Sequence, residues 1–264
     1  MRTAVMLAGG LGSRLAPLTA VIPKPLVPID REAIAEILLR QLAHFGVQRV
    51  IVSIGYLGHL IEAVLGDGSR YGLELQYQRE ERPLGTVGPL ALVADRLPDD
   101  FLVLNGDVLS DIDFDALLRH HVDGGRTLTV ATYPREVKVD LGVLQVNKQG
   151  TVTAFVEKPR YDYLVSMGVY AMSKRVLQYF QPGQAFGFDQ LVLAMLAKAS
   201  PRKPIVAICS RSSALESLLV AWLANARGKS SPAMPQPSSA TQIRSIPPCS
   251  TSTSIRVDPA SSAL

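Results

Sequence analysis

Thr3-Ala4-Val5-Met6-Leu7-Ala8-Gly9-Gly10-Leu11-Gly12-Ser13-Arg14-Leu15 opens as an apolar strand, Thr3 to Leu7, and runs straight into three glycines. Glycines at that point let the backbone approach a ligand closely, and successive amides can cradle phosphate oxygens. Arg14 adds a fixed fork of donors suited to phosphate. Ten residues on comes Pro23-Lys24-Pro25-Leu26, where two prolines stiffen the chain around one lysine. Two familiar alternatives fail on spacing. Gly9, Gly10 and Gly12 do not make the dinucleotide Gly-x-Gly-x-x-Gly pattern, and no Lys-Ser or Lys-Thr follows as a P-loop needs.

Outward from this stretch the chain alternates strands and helices. Helical periodicity runs from Glu32 to Phe45, through Ile34, Ile37, Leu38, Leu42 and Phe45. Arg49 to Ile54 reads as a second strand and His59 to Leu65 as a short helix. Leu73 to Gln78, Phe101 to Leu104 and Leu128 to Tyr133 read as further strands. Leu84 to Asp95 and Phe114 to Asp123 read as helices between them. Gly142 to Val146, Val152 to Glu157 and Leu164 to Met172 form a strand-rich stretch, and Phe188 to Lys198 is helix-like. The alternation predicts an α/β fold: three layers, Rossmann-like, a mixed and mostly parallel sheet with helices on both faces. Ligands of such sheets bind beyond the carboxyl ends of the strands.

Composition narrows the function classes. Of 264 residues, 47% are hydrophobic and 19% charged, enough for a sizeable core. The net charge is only +4 and the basic residues are scattered, so the expectation is no nucleic-acid partner. Cys209 and Cys249 form neither a disulfide framework nor a metal-type pair. The six-residue apolar run near Met1 is too short for a signal peptide, and Ala214 to Ala226 is broken by Glu216. A cytoplasmic protein with no membrane partner is expected. His44, His59, His120 and His121 lack metal-ligand spacing, and no Gly-x-Ser-x-Gly elbow occurs.

Two later segments carry chemistry. Glu80-x-x-Pro83-Leu84-Gly85-Thr86 combines a flexible glycine with a threonine placed to open a helix; taken alone it also reads as an N-cap turn. Asn105-Gly106-Asp107 follows the strand from Phe101 to Leu104, so Asp107 falls where such a sheet presents ligands. A carboxylate beside phosphates can hold Mg²⁺.

Leu7-Ala8-Gly9-Gly10-x-Gly12-Ser13-Arg14-Leu15-x-Pro17-Leu18-Thr19 with Pro23-Lys24-Pro25-Leu26-x-Pro28-Ile29 resembles the signature of sugar-1-phosphate nucleotidyltransferases. Ser13 stands where Thr is usual. The later segments follow the family's order. The resemblance implies that Leu7, Ala8, Gly9, Gly10, Gly12, Ser13, Glu80, Pro83, Gly85 and Thr86 bind nucleotide. It further implies that Arg14, Lys24 and Asp107 are catalytic, with Asp107 the Mg²⁺ ligand. Gly142, Glu157, Lys158 and Gly168 would bind sugar phosphate, Glu157 accepting from hydroxyls and Lys158 neutralising the phosphate. The implied partners are a nucleoside triphosphate and a sugar 1-phosphate; a homo-oligomer is compatible with the class. The alternative is a catalytically weak relative that binds nucleotide or sugar phosphate as a regulatory subunit.

The C-terminus departs from this pattern. The family continues with a Gly-Tyr-Trp-x-Asp type segment that gives the metal a second carboxylate, and nothing similar follows Ile208. Trp222 lies in Val220-Ala221-Trp222-Leu223-Ala224-Asn225, without a carboxylate. Residues 230–264 hold ten Ser, six Pro and three Thr, a composition that predicts disorder. The expected organisation is a nucleotidyltransferase domain over 1–209, an atypical segment with helical potential over 210–229, and the disordered tail. The abrupt change is what a shifted reading frame or rearranged gene end would produce, and weak activity is the expectation.

Overall fold

The computed structural model describes residues 1–198 and 205–209; the side chains of Arg14 and of 205–209 are outside the description. The 210–229 segment and the 230–264 tail therefore lie outside the described residues.

The first half is built from β1 (Thr3–Ala8), a small hairpin of β2 (Pro28–Ile29) and β3 (Glu32–Ala33), α1 (Ile34–His44), β4 (Arg49–Ile54), α2 (Gly58–Leu65), β5 (Glu74–Arg79) and β6 (Asp100–Asn105). The second half holds α3 (Phe114–Asp123), β7 (Leu128–Lys138), β8 (Val143–Val146), β9 (Val152–Val156), β10 (Arg160–Ser173), α4 (Phe188–Ala197) and β11 (Ile205–Cys209). Seven strands form one sheet in the order β11-β7-β10-β6-β1-β4-β5. β1 runs parallel to β4 and β6, β4 to β5, and β11 to β7, whereas β10 is antiparallel to both its neighbours.

The period-two pattern of the strands feeds two separate cores. Ala4, Met6 and Ala8 of β1 point to one face with Val50, Val52 and Ile54, where Leu38, Leu42, Ile61, Phe114 and Leu117 of α1, α2 and α3 cover them. Val5 points the other way with Ile51, Phe101 and Val103, under Val87, Leu90, Val176, Leu191 and Met195. Three layers result, as the alternation predicts.

Four elements differ from the sequence reading. The helix expected from Leu84 to Asp95 is a 3-10 turn, Gly88–Val93. Its first residues are held elsewhere: Phe186 N–H donates to Leu84 O, and the Val87 and Gly88 amides both donate to Phe186 O. Helix begins only beyond that docking, with Pro89 near its start where no N–H is needed. Glu32 and Ala33 are spent on the β2–β3 hairpin, so α1 starts two residues late. β7 and β10 outrun their predicted ends because their outer halves, Arg135–Lys138 against Arg160–Tyr163, pair only with each other. That two-stranded arm is largely exposed on both faces and is rich in charge, with Arg135, Glu136, Lys138, Arg160 and Asp162. It projects from the edge at which β6 ends, since β7 and β6 both oppose β10.

Candidate nucleotide-binding cleft

β1, β4, β5 and β6 are parallel neighbours, so their carboxyl ends share one edge of the sheet. Four loops leave the sheet there: at Gly9 after β1, Gly55 after β4, Glu80 after β5 and Gly106 after β6. They enclose a cleft of about 530 Å³, within the range of small-molecule sites.

Its walls bring together Leu7, Ala8, Gly9, Gly10, Gly12, Ser13, Lys24, Glu80, Pro83, Gly85, Thr86 and Asp107, and add Leu15, Pro25 and Asn105. Arg14 stands on the 3-10 turn Ser13–Leu15, between two lining residues. The loop is tied down by Thr19, whose hydroxyl donates to Gly12 O at 2.9 Å. Pro23 and Pro25 fix the turn Lys24–Leu26, and Pro25 is buried. That rigidity aims Lys24 at Asp107: Nζ and Oδ2 form an ion pair, the side chains 39% and 22% exposed. Gly106 N–H donates to Leu7 O at 2.8 Å, which seats the Asn105–Asp107 turn on the end of β1.

Glu80 is held from two sides. Ser53 Oγ, buried within β4, donates to Oε1 at 2.8 Å, and Leu84 N–H donates to Oε2 at 3.1 Å. The carboxylate lies so near the glycine loop that a Cβ on Gly9 would stand 2.6 Å from Oε1. A side chain at position 9 would displace that carboxylate from Ser53 and Leu84.

Gly85 and Thr86 serve the architecture of the wall. Gly85 has φ +77°, and a Cβ there would come within 2.7 Å of Phe186 O. Thr86 does not open the helix expected after it. Its Oγ1 accepts from Phe188 N–H at 2.8 Å, satisfying one of the free amides at the start of α4. Sequence reasoning missed Ser53 and Phe186, and neither carries a local signal: each acquires its role only through a distant strand or loop.

The sugar-side residues do not line this cleft. Gly142 and Glu157 are neighbours, a Cβ on Gly142 falling 3.1 Å from Glu157 Oε2, and both are exposed beside the arm with Lys158. Gly168 sits at the irregularity in β10 between Ser166 and Tyr170, where a Cβ would come within 2.5 Å of Asn105 Nδ2.

With this geometry established, the comparisons with known proteins fall into place. A family model described as nucleotidyl transferase matches residues 3–206. The chain belongs to the nucleotidyl transferase family. It is similar to the mannose-1-phosphate guanylyltransferase catalytic subunit beta of Danio rerio, 36% identical over 67% of this chain and 51% of the relative. It is also similar to a UTP–glucose-1-phosphate uridylyltransferase of Synechocystis, 31% identical over 69% of this chain and 52% of the relative. The chain spans about half the length of these curated relatives. Among solved structures, HddC from Yersinia pseudotuberculosis complexed with GMP-PN shares 26% identity with a TM-score of 0.60, covering 80% of this chain and 91% of that one. The nucleotidyl transferase assignment agrees with a mostly parallel sheet whose ligand edge gathers the motif residues. No described helix is long and apolar enough to cross a membrane.

Proposed function

We propose that this chain transfers a nucleotidyl group from a nucleoside triphosphate to a sugar 1-phosphate, releasing pyrophosphate. The observation that carries the reading is the cleft itself: the glycine loop, Lys24 and Asp107 converge on one sheet edge, the arrangement a polyphosphate requires. The relatives supply the candidate pairs, mannose 1-phosphate with GTP and glucose 1-phosphate with UTP.

In the proposed reaction an oxygen of the sugar phosphate attacks the α-phosphorus of the triphosphate. The bond from that phosphorus to the bridging oxygen breaks, and pyrophosphate leaves with the electron pair. Such transfers need positioning and charge neutralisation more than covalent help from the protein. Lys24 and the loop amides of Gly9, Gly10 and Gly12 hold the triphosphate, Arg14 offsets the leaving charge, and Glu157 and Lys158 on the arm receive the sugar phosphate.

The residues present fit Mg²⁺ held by one carboxylate and substrate phosphates. Asp107 would be its protein ligand, and no described cluster of three or more acidic, His or Cys side chains offers a fuller cage. Bound there, the ion would neutralise phosphate charge. A cytoplasmic place of action belongs to the same proposal.

One observation favours a second reading, a nucleotide-binding relative of low turnover: among the described residues that line the cleft, Asp107 has one other carboxylate for company, Glu80, which is engaged by Ser53 and Leu84. Pyrophosphate release, screened over mannose and glucose 1-phosphates against the common triphosphates with Mg²⁺, separates the two. Release with one pair supports the transferase; tight binding with no release under any pair supports the alternative.

A further inference from the structure

The β8–β9 hairpin pairs Val143 with Val156, Leu144 with Phe155, Gln145 with Ala154 and Val146 with Val152. Thr153 is the odd residue of a bulge, and its hydroxyl donates to Gln145 O at 3.2 Å. Alternation alone would put Val152 on the face of Ala154. The bulge turns it over, because residues directly opposite in an antiparallel pair share a face. Leu144, Val146, Val152 and Phe155 therefore form one continuous apolar face, and each is 54–60% exposed. The other face is interrupted by Gln145 and is half-buried at Val143 and Ala154.

Such a face needs a cover. A hairpin of two strands is marginal in water by itself, and β8 and β9 carry none of the charges or prolines that protect free strand edges. Of the twenty large apolar side chains exposed among the described residues, ten lie between 137 and 164, so the opening is local and not the ordinary scatter of a surface. The four side chains offer roughly 400 Å² of apolar surface, the size that marks a binding surface. That suffices for the apolar half of a standard interface, which takes about 800 Å² from each partner.

We propose that this face packs against the same face of a second copy of the chain, the two hairpins running antiparallel about a two-fold axis. The charges of the hairpin are self-complementary in that arrangement. Lys148 is at its tip and Asp140 at its root, four positions either side of Leu144. Both are exposed, and neither makes an ion pair among the described residues. With the axis at Leu144, Lys148 of each copy meets Asp140 of the other, and the contact forms twice. A parallel arrangement would set like charges together instead. Covering the face also braces the root of the hairpin, where Phe155 lies across Gly142 and leaves no room for a Cβ. Only this last consequence rests on the nucleotidyl-transfer reading, in which Gly142 and Glu157 serve the sugar phosphate.

Sedimentation velocity on the full 264-residue chain tests this. No substrate is present, so the outcome is independent of the nucleotidyl-transfer reading. The chain should sediment as a dimer in the micromolar range. Leu144→Asp should weaken self-association by roughly 100-fold or more, since it leaves an unpaired charge in an apolar contact. Lys148→Asp and Asp140→Lys should each weaken it about 10-fold, and the double variant carrying both should recover the parent's affinity. A parent that stays monomeric at ~100 µM overturns the proposal. Hydroxyl-radical labelling of Phe155 then tells whether residues 210–264 cover the face or it stays bare. A dimer that folded Leu144→Asp leaves intact, or charge reversals that do not compensate one another, would also overturn it. If Leu144→Asp does not fold, the two charge reversals and their double variant decide.

Discussion

Lys24 and Asp107 neutralise one another in the lining of the cleft, joining the two-proline turn to the carboxyl end of β6. Both side chains are partly exposed, so the pair adds little to stability: exposed ion pairs are worth ~0–1 kcal/mol. Its position gives it meaning. A magnesium triphosphate offers Lys24 an anion and Asp107 a cation, so ligand replaces the pair without stranding either charge. Asp107→Asn should therefore leave unliganded stability within about 1 kcal/mol of the parent. The same variant should lose the Mg²⁺ dependence of nucleotide binding. Denaturant unfolding and titration with and without Mg²⁺ read the two halves; an unfolded Asp107→Asn would make the carboxylate structural.

Gly85→Ala should be costly for two reasons that act together. A side chain at φ +77° is strained by ~1–2 kcal/mol, and its Cβ would meet a backbone oxygen that cannot rotate away, Phe186 O. A loss of about 2–3 kcal/mol in urea unfolding is expected. Parent-like stability would show that the wall between 84 and 88 yields easily.

Thr86→Val keeps the shape and removes the acceptor for Phe188 N–H. Loss of an amide cap at a helix start costs ~1 kcal/mol, whereas Thr86→Ser should retain most of the stability. Equal stability of the Val and Ser variants would mean that water serves the amide as well as Thr86 does.

His121 gives the protein an acid-sensitive point away from the cleft. It is fully buried, with Nδ1 2.9 Å from Thr129 Oγ1 and Nε2 3.3 Å from Asp100 Oδ1, off the line of a hydrogen bond. Burial lowers its pKa below 6.5, and the Asp100 charge only partly offsets this. The unfolded chain takes up a proton first, so the stability His121 contributes is complete above pH 6.5 and is lost as pH falls below it. His120 is shifted in the same direction, again by burial first. Unfolding free energies from pH 7 to 5 should decline, and His121→Gln should decline less steeply. Parallel profiles for the two proteins would remove His121 from the account.

The sheet, its two cores and the gathering of the glycine loop, Lys24 and Asp107 in one cleft were legible because each rests on local pattern. β1 alternates its faces residue by residue, and the glycines, prolines and Lys24 have meaning within a span of a few residues. Thr86 was misplaced because its partner amide lies at Phe188, 102 positions away. The 88–93 turn imitates a helix in composition, yet the amides before it are claimed by Phe186. β10 was read short because its outer half, Arg160–Tyr163, is exposed and mixes charge with tyrosine, so no buried apolar face marks it. Ser53 looks like any small polar residue in a strand until Glu80 arrives beside it.

The docking of 82–88 onto 183–188 also bears on the order in which the protein can become functional as it is synthesised. Arg82 donates to Gly183 O, Leu84 receives Phe186, and Thr86 caps α4, so one wall of the cleft is closed by residues made about 100 positions later. A nascent chain carrying only β1 to β6 already owns the glycine loop, Lys24, Glu80 and Asp107. The Leu84 carbonyl and the Val87 and Gly88 amides find their partner only when Phe186 emerges, just ahead of α4. The residues that line the cleft are thus encoded early and the brace that sets them is encoded late, which makes a well-formed cleft a report that translation has passed position 188.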